Sequence, residues 1–80
     1  MKKGQIMTDR IKEIVSKILD IPVGKIDVNA DIIEVYGADS LDTVDMLMMI
    51  ENEFEIVIPD EEAIELRTIN KLVSYIVDNK

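Results

Sequence analysis

The stretch GADSLDTVDMLMMIENEF, Gly37 to Phe54, decides how the chain folds. Gly37 is a turn signal and Asp39 is a capping acid. From Ser40 onward apolar residues recur at helical spacing, so a helix is expected from about Ser40 to about Glu55 with Asp39 as its N-cap. At about 100° per residue, Thr43, Met46, Leu47, Ile50 and Phe54 fall on one side of that helix. Leu41, Val44 and Met48 fall on roughly the opposite side. A helix with two apolar faces is either fully buried or offers one face to a partner. Asp42, Asp45, Glu51 and Asn52 lie beside or within the second face, which argues against full burial. An apolar stripe edged by acids suits docking: the apolar residues supply contact area and the acids steer a basic partner.

Outward from this helix, the same periodicity marks two more. Thr8 is a candidate N-cap, and Ile11, Ile14, Val15, Ile18 and Leu19 follow the spacing of an amphipathic helix. Thr68 caps a last helix through Ile69, Leu72, Val73, Ile76 and Val77. Between Ile58 and Leu66, Pro59 breaks the chain and Asp60, Glu61 and Glu62 suit the first turn of a short helix. Glu55 to Ile58 reads as a buried linker, because no partner strand with alternation exists elsewhere. Residues 20–39 contain Pro22, Gly24 and Gly37 with no sustained period. They form a long connection that is functional or contains short turns. The expected fold is all-α: a small four-helix bundle of three main helices plus one short helix, with a long first loop. Residues 1–7 are expected as a flexible lead and residues 8–80 as one domain.

Composition narrows the chemistry. Eighty residues make one domain with a modest core and no room for a large cleft. The chain has neither cysteine nor histidine, which excludes disulfides, thiolate zinc sites and Ser-His or Cys-His catalysis. No apolar run reaches the roughly 18 residues of a membrane span. A cytoplasmic protein without stable membrane insertion is expected. The net charge is −8, and between Lys25 and Arg67 there are 13 acids and no base. Such a middle repels nucleic acid and attracts basic protein surfaces. Asp27, Asn29 and Asp31 match the first positions of a calcium loop. Ile32 then stands where that loop needs glycine, and Ala38 where it needs glutamate, so no calcium loop and no defined metal site is expected, and only loose divalent binding by carboxylates such as Glu34, Asp39 and Asp42 stays open.

Ser40 sits where a helix gathers free backbone N–H groups and positive potential, which favours a phosphate. A serine at that position is more often a cap. It has no histidine to activate it, and its neighbours are acids. Chemistry at Ser40 must therefore be performed by another protein, so the chain itself is not expected to be an enzyme.

GADSLDTVDM, Gly37 to Met46, resembles the phosphopantetheine attachment motif of acyl carrier proteins. ENEF (Glu51 to Phe54) and IPDEEA (Ile58 to Ala63) follow at the family's spacing, and the resemblance runs from about Met7 to the end. It closely follows the free-standing type of bacterial fatty acid synthesis. The resemblance implies a four-helix fold with a long first loop. It implies 4′-phosphopantetheine esterified to Ser40, donated from coenzyme A by holo-acyl-carrier-protein synthase, with Asp39 positioning the serine. The thiol at the end of that arm would carry growing fatty acyl chains as thioesters, so a protein without cysteine performs thioester chemistry. It further implies that ketoacyl synthases, reductases, dehydratases and acyltransferases dock basic patches on Leu41, Asp42, Val44, Asp45, Met48 and Glu51. An acyl-chain cavity would be lined by Met46, Leu47, Ile50, Phe54, Ile58, Ala63, Leu66, Leu72 and Ile76. The carrier is expected as a monomer. Val35 and Tyr36 depart from the family, which often has an acid followed by leucine there, and Ile32 stands where an aromatic is common. A carrier for polyketide, lipid A or aminoacyl chemistry is the near alternative, and an unmodified acidic adaptor the distant one.

Overall fold

The computed structural model describes the backbone of residues 3–79 and the side chains of residues 5–79. Among them are five α-helices and no strand: α1 (Lys3–Leu19), α2 (Ile32–Tyr36), α3 (Ser40–Phe54), α4 (Asp60–Ala63) and α5 (Ile69–Asn79). α1, α3 and α5 are the three main helices, and α1 packs against both of the others. Ile11 and Val15 of α1, Ile50 of α3, and Ile69, Leu72 and Ile76 of α5 are fully buried and form the centre of the core. Their spacing within each helix is the three-to-four-residue step of an inward stripe.

The expectation of a flexible lead through residue 7 is corrected. α1 begins at Lys3, and Met7 is buried with Ile11 and Ile14. Met7 lies four residues before Ile11, so it extends the same apolar stripe by one turn. Thr8 is therefore an interior residue of α1, not its cap. Met1, Lys2 and Lys80 lie outside the described residues.

The long first connection contains more order than the sequence reading gave it. A 3-10 turn spans Val23–Lys25, and α2 adds a fifth helix of a single turn and a half. Asp31 caps α2: its Oδ1 accepts the backbone N–H of Ile33 at 2.9 Å and of Glu34 at 3.0 Å. Gly37 closes α2 with φ at 72°, a left-handed conformation that glycine adopts without a Cβ clash. Ile26 and Ile32 anchor the connection in the core. The Asp27 carboxylate accepts the backbone N–H of Asn29 at 2.8 Å, so it builds a local turn.

α4 is shorter than expected and ends at Ala63, continuing as a turn. The linker before it is only partly buried: Ile58 is in the core, whereas Val57 points outward. Thr68 caps α5 as its position suggests, its Oγ1 accepting the N–H of Lys71 at 3.1 Å. Arg10 of α1 reaches Glu53 of α3 with two bonds, Nη2 to Oε1 at 3.0 Å and Nε to Oε2 at 3.2 Å. One acid of the base-free middle is thereby paired across the bundle.

Candidate functional site

Asp39 starts α3 through a reciprocal cap. Its Oδ1 accepts the N–H of Asp42 at 2.9 Å, and its own N–H donates to Asp42 Oδ2 at 3.3 Å. The Thr43 hydroxyl donates to the Asp39 carbonyl at 3.0 Å, which fixes the same turn from inside the helix. Ser40 follows as the first helical residue. It is exposed, and its hydroxyl makes no hydrogen bond to the described residues. Asp39 does the capping, so the Ser40 hydroxyl is left unused by the fold. Its backbone N–H lies at the positive end of a 15-residue helix.

Beside Ser40 opens a groove of about 680 Å³. One wall is α3, with Thr43, Val44, Met46 and Leu47; a second is α2 with Ile32 and Ile33; the third is Asp60, Ala63, Ile64, Leu66 and Arg67. Asp39 and Ser40 stand at its edge. Of the nine residues expected around an acyl chain, Met46, Leu47, Ala63 and Leu66 line this groove. Ile50, Ile58, Leu72 and Ile76 are buried in the core, and Phe54 is half-buried against it. Ile32, Ile33, Thr43, Ile64 and Arg67 line the groove without having been singled out for it. α2 was invisible as a helix, so its inward side was invisible too.

The outward face of α3 is apolar as the wheel requires. Leu41 is 76% exposed, Val44 51% and Met48 60%, and Met49 adds to them at 37%. Full burial of this helix is thus excluded. Met48 and Met49 border a further hollow with Glu51, Asn52 and Ile56.

The acids of this face divide into two kinds. Asp45 is exposed and makes no ion pair or hydrogen bond among the described residues. The Asp42 carboxylate is committed to the cap, its Oδ2 accepting the Asp39 N–H at 3.3 Å, and Glu51 turns toward the backbone beyond the helix, its Oε2 accepting the N–H of Ile58 at 2.7 Å. Two of the three expected docking acids therefore also hold the fold.

Tyr36 has a defined task. Its hydroxyl accepts the N–H of Asp27 at 2.7 Å and donates to the carbonyl of Lys25 at 3.4 Å, so it ties α2 to the first loop. Val35 is 61% exposed beside it. No group of three histidine, cysteine, aspartate or glutamate side chains that could hold a metal ion is present among the described residues. No helix there is long and apolar enough to cross a membrane.

An exposed hydroxyl at a capped helix start, next to an apolar groove, fits a phosphate-linked arm: the hydroxyl offers the ester bond, the helix terminus favours the phosphate, and the groove offers cover to what the arm carries. Comparison with known proteins agrees with this geometry. Residues 9–76 match the family model described as a phosphopantetheine attachment site. The acyl carrier protein of Buchnera aphidicola subsp. Schizaphis graminum (strain Sg) is 51% identical over 67 residues, covering 84% of this chain and 85% of that one. A solved structure of the acyl carrier protein from Enterococcus faecalis, studied for its high thermal stability, superposes with a TM-score of 0.84. It shares 26% identity and covers 99% of this chain and 100% of its own.

Proposed function

The chain belongs to the acyl carrier protein family, and on that premise we propose that Ser40 is the residue esterified by 4′-phosphopantetheine and that fatty acid synthesis is the pathway served. The protein is a carrier rather than a catalyst, and its cofactor is 4′-phosphopantetheine. When attached, that group supplies a terminal thiol that holds acyl chains as thioesters. The observation that carries the assignment is the free, exposed Ser40 hydroxyl at the Asp39-capped start of α3.

The roles of the chain's own residues follow from where they sit. Asp39 and Asp42 hold the first turn, so the backbone that carries Ser40 is fixed while its hydroxyl stays open to solvent. With no histidine in the chain and the Asp39 and Asp42 carboxylates engaged in the cap, the base that removes the Ser40 proton belongs to the transferase that donates the arm from coenzyme A. Met46, Leu47, Ala63 and Leu66 offer an apolar lining next to the serine. Each sheltered methylene of an acyl chain contributes about 0.8 kcal/mol. Leu41, Val44 and Met48 form the contact area for partner enzymes, with Asp45 the free acid that steers their basic patches. Those partners are the transferase and then synthases, reductases, dehydratases and acyltransferases of the pathway, met in the cytoplasm by a monomeric carrier.

The test is the intact mass of the protein purified from its own host. A phosphopantetheine arm bearing saturated or 3-oxygenated fatty acyl chains is the expected result. An arm bearing an amino acid or a polyketide fragment would overturn the pathway assignment, and an unmodified chain would overturn the loading itself.

A further inference from the structure

The groove beside Ser40 has three walls, and the seam between two of them is closed by charge. Arg67, on the connection between α4 and α5, is the only base between Lys25 and Lys71. Its Nε lies 2.8 Å from Asp31 Oδ2, and its Nη2 lies 3.2 Å from Glu34 Oε2. Its carbonyl accepts the backbone N–H of Ile32 at 2.8 Å. Backbone and side chain of one residue thus both bind α2. Ile32, Ile33 and Arg67 all line the groove, so this seam runs along the groove itself.

We propose that Arg67 is a latch: its ion pairs with Asp31 and Glu34 hold α2 against the α4–α5 connection and set how tightly the groove encloses an acyl chain attached at Ser40. The proposal rests on the reading of that groove as the acyl-chain site. Arg67 is a positioning residue and takes no part in the chemistry.

The division of labour at Asp31 makes the latch separable from the fold. Asp31 Oδ1 caps α2, while Oδ2 faces Arg67. Removing the guanidinium leaves the cap in place. The two pairs differ in weight. Glu34 is 74% exposed and its pair is screened by solvent; Asp31 is only 28% exposed, so its pair is the stronger. The buried Arg67 Nε makes no aligned hydrogen bond, so attraction without a directional bond holds the seam at that atom.

The experiment loads the parent, Arg67→Gln, Arg67→Lys and Asp31→Asn with the bare arm or with an octanoyl arm, each checked by intact mass. Melting temperature is then measured for both forms of each protein. The parent is expected to melt higher when octanoylated. Arg67→Gln should lose at least half of that gain, with Arg67→Lys between the two, and its octanoyl thioester should be released faster by hydroxylamine. A residue that merely stabilised the fold would lower both melting temperatures and leave their difference unchanged. An equal gain in parent and Arg67→Gln overturns the latch while leaving the groove reading intact. No gain in the parent overturns the groove reading, and the latch with it. Should Arg67→Gln fail to fold, Asp31→Asn decides, because it keeps an oxygen for the cap of α2 and loses the stronger ion pair: a reduced gain supports the latch, and an unchanged one overturns it.

Discussion

Glu51 and Ile58 are joined across the end of α3: the Glu51 carboxylate accepts the Ile58 backbone N–H at 2.7 Å. Ile58 is in the core, so this bond seats the linker that leads into α4. An acid expected for partner docking is therefore also a structural tether. Glu51→Ala should lower stability by about 1–3 kcal/mol, because it strands a partly buried N–H. Glu51→Gln keeps an acceptor oxygen and should cost less than half as much. Urea unfolding of the three proteins checks this.

The same division governs charge removal on α3. Taken from the sequence, joint neutralisation of Asp42, Asp45 and Glu51 is expected to stabilise the isolated protein, since 13 acids between Lys25 and Arg67 repel one another. The structure limits that expectation to Asp45. Asp45→Asn should leave stability unchanged or raise it by up to about 0.5 kcal/mol, and should slow partner association most at low salt. Asp42→Ala should instead cost about 0.5–1 kcal/mol, because the Asp42 carboxylate no longer accepts the Asp39 N–H, while the Asp39 cap itself stays. Melting temperatures and transfer rates to one partner enzyme, at low and high salt, separate the two effects.

Asp31 supplies a pH signature. The backbone N–H of Glu34 holds its carboxyl below the ordinary value of 3.8, desolvation opposes this, and Arg67 adds to the lowering. A folded-state value below the unfolded one means stability that is fully present above the unfolded value. That contribution is lost as pH falls below 3.8 and through the folded value. Asp31→Asn should be less stable than the parent at neutral pH, and the gap between them should narrow as acid is added below that point. A gap that stays constant in acid would show that the Asp31 charge contributes nothing.

Tyr36→Phe removes a hydroxyl that bonds Asp27 and Lys25. The expected loss is about 1 kcal/mol. Faster amide exchange at Asp27 than in the parent would accompany it, because that N–H loses its acceptor.

How much of this was legible in the sequence depended on the length of the local pattern. α3 spans 15 residues with a capping acid and a clear apolar step, and its cap at Asp39 and its exposed stripe at Leu41, Val44 and Met48 are where the wheel puts them. α2 is five residues long, too short for any period to register. Its signals were only its ends: Asp31 at the N-cap and Gly37 at the C-cap. The early start of α1 rested on Met7 alone, since Lys3, Gly4 and Gln5 add no apolar residue to the stripe. The Glu51–Ile58 tether and the Arg67 ion pairs with Asp31 and Glu34 join residues brought together by turns and by tertiary packing. No spacing rule reaches them.

The central claim is that Ser40 is the attachment point of the arm, and the most direct measurement is intact mass after incubation with coenzyme A and a broad-specificity transferase. Parent and Ser40→Ala are compared. Asp39 keeps the cap in both, so the variant should stay folded, within about 1 kcal/mol of the parent. The parent should gain the mass of one phosphopantetheine group and the variant none. An unmodified parent, or a folded Ser40→Ala protein that still gains the group, would contradict the account.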